Sequence, residues 1–277
     1  MAIRIDGREI AGFLFGELSQ KVAELKKKSI LPTLAVILVG NDPGSVAYIR
    51  QKEKASQKIG ARFRLNSLPI NATEEEVQSI IEKHNTSHDV HGIIVQLPLP
   101  AHINSEKIVG RIHPNKDVDG FLPDSPFIQP VANAVLTILQ FTSRTVLGEW
   151  LQSRNICVLG RGKTAGQPIT AALEKRGVPV NVIHSQTPNP KELLKKADIV
   201  ISCVGKPRVI NSNDIIEGVI VIGVGLHMED GKLRGDYNEE DIATKASYYT
   251  PTPGGVGPVN VACLWENVIR SAQASQV

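Results

Sequence analysis

The feature that most restricts this chain is a repeated alternation between short, almost unbroken apolar runs and longer charged segments of helical period. Leu34 to Val39 (LAVILV) and Gly92 to Leu97 (GIIVQL) are such runs in the first half. Ile156 to Leu159, Val180 to Ile183, Ile199 to Val204 and Val219 to Val224 follow in the second. Glu74 to His84 and Pro190 to Ala197 are typical of the charged segments between them. A strand that is apolar on both faces needs cover on both, the condition of a parallel sheet between two layers of helices. The spacing therefore predicts βαβ units and a doubly wound α/β architecture.

A length of 277 residues suits two such domains. The stretch PNKDVDGFLPDSPFIQP, from Pro114 to Pro130, is rich in Pro, Asp and Gly and reads as a connection. Beyond it, Val131 to Leu151 predicts one long helix; a second Pro/Gly cluster, Pro251 to Pro258, precedes a last helix from about Val259 to Ala272. The expected division is 1–120, completed by a C-terminal helix over 256–277, and 121–255 as a Rossmann-type parallel sheet, with a cleft between the two. A net charge of +3, from 31 basic and 28 acidic residues, is too slight to point to nucleic acid and suits a small anionic ligand. Cys157, Cys203 and Cys263 each lie in an apolar run with no CxxC pair, which predicts buried, reduced thiols and no metal site. The opening MAIRIDGREIAGFLF is broken by polar residues, unlike a secretory leader, and no run approaches about 18 apolar residues. A cytoplasmic protein without a membrane span is the expectation.

The strand ICVL leads into Gly160-Arg161-Gly162-Lys163-Thr164-Ala165-Gly166 and then a helical stretch. This GxGxxxG is one residue longer than the usual dinucleotide fingerprint, but the physical logic is the same. Glycines allow a tight strand-to-helix turn and let backbone N–H groups approach a pyrophosphate at the helix N-terminus. Such turns also occur for packing alone; the order strand, turn, helix is what favours a cofactor. The next strand ends at His184-Ser185, where an NAD site usually carries an acid for the ribose 2′-hydroxyl. With no acid there and Arg161 in the loop, NADP is the expected cofactor and NAD the alternative; a solvated loop charge is the plainer reading of Arg161.

Four further segments fit one family: Ser45-Val46-Ala47-Tyr48-Ile49-Arg50-Gln51-Lys52, Val95-Gln96-Leu97-Pro98-Leu99-Pro100, Lys116-Asp117-Val118-Asp119-Gly120, and Pro251 to Pro258 (PTPGGVGP). In this order they closely resemble the bifunctional methylenetetrahydrofolate dehydrogenase/methenyltetrahydrofolate cyclohydrolase family, and Gly205-Lys206-Pro207 and Gly231 to Asp236 agree. The resemblance covers nearly the whole chain. It implies that 5,10-methylenetetrahydrofolate is oxidised to the methenyl form with NADP and then hydrolysed to 10-formyltetrahydrofolate, by a homodimer. It also implies roles. Lys52 is the catalytic lysine, Tyr48 stacks on the folate and places Lys52, Gln96 bonds near Lys52, and Asp119 holds the pterin. Val95, Leu97, Pro253, Gly254, Gly255, Val256, Gly257, Pro258 and Val261 line the folate site, while Gly160, Arg161, Gly162, Ser185 and Leu226 meet the cofactor.

The residues themselves add something. Tyr48 and Lys52 are four apart and share a helix face, with Asp42 or Ser45 as the cap. By pattern alone Lys52 is one lysine on a charged helix, and Asp119 a turn residue. Gln96 stands out more, as an amide near the C-terminal end of a buried strand, where open sheets build their sites and where it needs partners. The chain also departs from the family. Gly162 replaces a serine of the cofactor loop, with Thr164 a substitute hydroxyl; Gln129-Pro130-Val131-Ala132 replaces Pro-Cys-Thr-Pro; Gly223 replaces an aspartate of the last Rossmann strand; Val259-Asn260 replaces Met-Thr. Rival readings are a dehydrogenase-only folate enzyme, a two-domain dehydrogenase of the amino-acid or shikimate type, and a nonenzymatic NADP-binding protein.

Overall fold

The computed structural model describes residues 2–143 and 147–275. The chain divides into two compact units, Gly12–Pro130 with Val261–Val277, and Met1–Ala11 with Val131–Asn260. Each is an α/β unit on a parallel sheet. The first eleven residues thus group with the second half of the chain, a division that differs from the sequence-based boundary at 1–120. The cause is a two-residue strand: β1 (Ile3–Arg4) adds in parallel to the far edge of the second sheet.

After α1 (Gly7–Lys27) the chain enters β2 (Thr33–Val39), α2 (Pro43–Ile59), β3 (Arg62–Leu68), α3 (Glu74–Thr86), β4 (Gly92–Val95) and the short α4 (Ser105–Val109). The three strands pair in the order β3-β2-β4, all parallel. β2 is the centre and is buried at every position, as its unbroken apolar sequence requires. Asp42 caps α2, its carboxylate accepting the Ser45 N–H at 2.8 Å, and that bond holds the Asp42 carboxyl below its ordinary value. α2 ends at Gly60, whose φ of 75° makes the left-handed cap. Thr73 and Glu76 form a capping box at the start of α3.

The chain continues through α5 (Pro130–Thr142), α6 (Leu147–Gln152), β5 (Ile156–Leu159), α7 (Gly166–Glu174), β6 (Val180–Ile183), α8 (Pro190–Leu194), β7 (Ile199–Ser202), β8 (Ile220–Gly223), β9 (Leu226–Glu229), β10 (Lys232–Gly235), α9 (Glu239–Ile242), β11 (Tyr248–Tyr249) and α10 (Val256–Ala274). The six-stranded sheet runs β1-β11-β8-β7-β5-β6, every pair parallel; β9 and β10 form a separate antiparallel hairpin. The single helix expected over Val131 to Leu151 is corrected: α5 ends at Thr142, and residues 144–146 of that expectation lie outside the described residues. The hydroxyls of Thr142 and Ser143 take the carbonyls of Leu139 and Gln140, competing with the helix for its last acceptors. Three strands stop short of their apolar runs, at Val95, Ser202 and Gly223; α10 starts at Val256, the bound set for the C-terminal helix and one turn before Val259. Cys157 and Cys263 are buried, whereas Cys203, just past β7, is only half-buried; all three are free. Among the described residues no helix is long and apolar enough to cross a membrane.

Candidate active site

In an open parallel sheet, sites form outside the carboxyl ends of the strands, where neighbouring strands send the chain to opposite sides. In the three-stranded sheet this switch lies between β2 and β4, because β2 leads to β3 on one side and β3 returns to β4 on the other. Both of its strands deliver polar side chains. β2 is followed by α2, which carries Tyr48 and Lys52; β4 is followed at once by Gln96. The Gln96 backbone N–H still donates to Ile37 of β2 at 2.9 Å, so the residue is held by the ladder although the strand has ended.

Lys52 is 3% exposed. Its Nζ donates to Gln96 Oε1 at 3.1 Å and lies 4.9 Å from the centre of the Tyr48 ring. The Gln96 amide is oriented from its other end, since Nε2 donates to the Leu97 carbonyl at 2.8 Å. That carbonyl can only accept, so Oε1 is left to face the amine. Burial pulls the Lys52 ammonium down from the ordinary lysine value, and the charge of Asp119 partly opposes this. Asp119 is the mirror case: burial raises its carboxyl and Lys52 opposes the rise. The structure thus brings Tyr48, Lys52, Gln96 and Asp119 into one electrostatic group, with Val95 and Leu97 beside Gln96 in the chain.

Two residues absent from the sequence reasoning hold this group. Trp265 of α10, fully buried, donates its indole N–H to the Lys52 carbonyl at 3.0 Å. Asn267, two residues on, donates to the carbonyls of Val118 and Ile128, both at 2.9 Å, and so pins the segment that carries Asp119. Asp117, fully buried, closes that segment by accepting the Leu122 N–H at 2.8 Å. A buried indole or amide must find a partner, and this much was readable; which carbonyl it finds was not.

The other predicted residues lie in the six-stranded unit. Its switch falls between β5 and β7. Gly160 follows β5 with φ 98°, and a Cβ built there would stand 2.8 Å from the Cys203 carbonyl. At Gly166 a Cβ would stand 2.0 Å from the Gly160 carbonyl, so the turn closes only on a glycine. Gly162 faces open space, where a hydroxyl-bearing side chain would fit. α7 begins at Gly166 with no side-chain cap on its first turn. A tight glycine turn and an uncapped helix N-terminus suit the pyrophosphate of a dinucleotide. Arg161 and Ser185 are exposed, and Leu226 opens β9 against Gly205. Pro253, Gly254 and Gly255 form a turn packed on Gly7, whose N–H donates to the Gly254 carbonyl at 2.8 Å; Val256, Gly257 and Pro258 open α10, and Val261 belongs to the other unit. Among the described residues there is no cluster of metal-ligating side chains. A cavity of about 450 Å³, lined by Trp150, Arg154, Asp198, Glu217 and Tyr248 among others, opens at the amino-terminal ends of the strands, away from these residues.

A buried amine at one switch point and a glycine turn of dinucleotide type at another suit a two-domain α/β dehydrogenase. The chain belongs to the tetrahydrofolate dehydrogenase/cyclohydrolase family: the family's catalytic domain matches residues 5–119 and its NAD(P)-binding domain residues 130–276. It is 40% identical over 279 residues to the bifunctional protein FolD of Bacillus licheniformis, covering 97% of this chain and 96% of that one. The crystal structure of the bifunctional FolD methylenetetrahydrofolate dehydrogenase/cyclohydrolase from Campylobacter jejuni superposes with a TM-score of 0.93 at 35% identity, covering 99% of each chain. The Trypanosoma brucei FolD structure, solved with NADP cofactor and inhibitor, also gives 0.93, at 33% identity and 99% and 98% coverage.

Proposed function

We propose that this chain oxidises 5,10-methylenetetrahydrofolate to 5,10-methenyltetrahydrofolate with NADP+ and hydrolyses the product to 10-formyltetrahydrofolate, with Lys52 as the proton acceptor of the hydrolysis. The observation that carries the reading is the buried Lys52 amine held by Gln96 at 3.1 Å. In the oxidation a hydride leaves a carbon flanked by two nitrogens. Their lone pairs stabilise the cation, so no strong base is needed and positioning dominates. When bound, the nicotinamide accepts that hydride. In the hydrolysis, water adds to the methenyl carbon and loses one proton to Lys52; the C–N5 bond then breaks as the remaining hydroxyl proton passes to N5, which leaves the N10 formyl group. A free lysine, with a pKa near about 10.4, is charged at neutral pH and cannot take that proton. Burial shifts Lys52 in the direction the task needs.

In this reading Tyr48 stacks on the folate, Asp119 holds the pterin, and Val95, Leu97, Pro253 to Pro258 and Val261 line the substrate. Gly160, Arg161, Gly162, Ser185 and Leu226 hold the cofactor. The unit of residues 12–130 with 261–277 carries the folate chemistry, and the unit of residues 1–11 with 131–260 carries NADP. Gly162 leaves NAD as an alternative, since one phosphate-binding hydroxyl is missing. The retained Lys52 and Gln96 disfavour a dehydrogenase-only enzyme. The protein acts in the cytoplasm as a homodimer, a reading supported by an exposed apolar hairpin face of Leu226, Met228 and Leu233.

The test is Lys52→Met, assayed with methylenetetrahydrofolate and NADP+ while reduced cofactor and methenyl intermediate are followed separately. Hydrolysis should fall by about two orders of magnitude or more, the contribution of a positioned acid or base. Folate should still bind. The melting temperature is followed alongside, because the change leaves Gln96 Oε1 and Asp119 without their cationic partner and should itself cost some stability. Hydrolysis at the wild-type rate would overturn the role of Lys52.

A further inference from the structure

The motif from Gly231 to Asp236 ends on a carboxylate that none of the chemistry above uses. Asp236 is fully buried. Among the described residues its oxygens meet four donors: Ser202 Oγ at 2.6 Å and the Val204 N–H at 2.9 Å on Oδ2, and the N–H groups of Gly205 at 2.8 Å and Lys206 at 3.1 Å on Oδ1. Three nearly consecutive backbone N–H groups on one acidic side chain fix the course of a loop more firmly than any single bond. The loop is the one after β7, at the β5/β7 switch. It is wedged between predicted cofactor contacts. On one side its Cys203 carbonyl stands 2.8 Å from where a Gly160 Cβ would be; on the other, a Cβ on Gly205 would stand 3.0 Å from the Leu226 carbonyl. Gly225 is crowded by the same carboxylate, 2.3 Å from its Cβ position.

We propose that Asp236 is a positioning residue for the nicotinamide cofactor, which it serves by holding the Cys203–Lys206 loop against Gly160 and Leu226. It touches no reacting atom. The inference rests on the reading of this unit as the NADP site. Asp236→Asn is the informative change, because it keeps the size but turns an NH2 toward either the Val204 N–H or the pair at Gly205 and Lys206. A donor then faces donors, and the loop must move.

The two activities separate the outcomes, because hydrolysis needs no nicotinamide. For Asp236→Asn the dissociation constant for NADP+, measured by calorimetry, and the KM for NADP+ should each rise about ten-fold, the effect of losing one charge-assisted bond. The kcat of the hydrolysis should stay near wild type. An unchanged NADP+ affinity would overturn the proposal, and so would an equal loss of both activities tracking the melting temperature. Should Asp236→Asn fail to fold, Ser202→Ala removes one donor and should weaken NADP+ binding in the same direction by a few-fold; unaltered binding there is equally fatal. A wild-type protein that binds NADP+ without oxidising methylenetetrahydrofolate would instead overturn the proposed function and leave the loop argument to be decided by the titration.

Discussion

Lys52 and Asp119 pull on each other's protons, and the direction of each pull is fixed. Asp119 raises the Lys52 value against the stronger downward effect of burial. Removing the carboxylate therefore lets Lys52 lose its proton at lower pH. If the neutral amine is what hydrolysis needs, the rate rises with pH through the Lys52 value, and Asp119→Asn should move that acid limb to lower pH. A pH profile of the hydrolysis at saturating substrate measures the direction of this displacement; an unmoved limb would break the link between the pair. Tyr48, Lys52, Gln96 and Asp119 were legible because their motifs stand in order along the chain. Trp265 and Asn267 were not, because their meaning lies in carbonyls that come from residues 52, 118 and 128, and nothing local to α10 announces them.

At the scale of elements, the departure at Gly223 has a physical reason in its neighbour. A Cβ there would lie 2.9 Å from the Tyr237 ring. Tyr237 is buried, which pushes its hydroxyl up, and it donates to the Thr250 carbonyl at 2.7 Å while Thr250 Oγ1 accepts the Gly223 N–H at 2.8 Å. The tyrosine thus occupies the space that an aspartate side chain on β8 would take. Gly223→Asp should cost about 2 kcal/mol or more through overpacking, and Tyr237→Val in the same chain should recover part of it. Denaturant unfolding of the single and double variants decides the matter; additive losses would refute the exchange. The six strands read from apolar runs are all present. β3 escaped because none of its positions is fully buried and arginine, asparagine and serine interrupt its apolar residues. The two-residue β1 and β11 are too short for any pattern and exist only through pairing.

At the scale of the molecule, Met228 is 66% exposed on a hairpin where it pairs with Leu233. If this face joins two copies, Met228→Glu should give a monomer by light scattering at concentrations where the wild type is a dimer, since a buried unpaired charge costs several kcal/mol. A dimer that persists unchanged places the contact elsewhere. The two-domain character was legible in the Pro/Asp/Gly break, but not the interleaving of the units. The unit that holds Lys52 is completed by residues from Val261 onward, whereas the other is complete at Asn260. Synthesis from the N-terminus therefore reverses the usual order, in which the leading half folds first. The sequence of the cofactor unit is fully made while the lysine unit still lacks Trp265, Asn267 and the core face of α10. Until that helix emerges, β2 has apolar surface waiting for a partner, and this first half of the nascent chain is the part with most need of a chaperone.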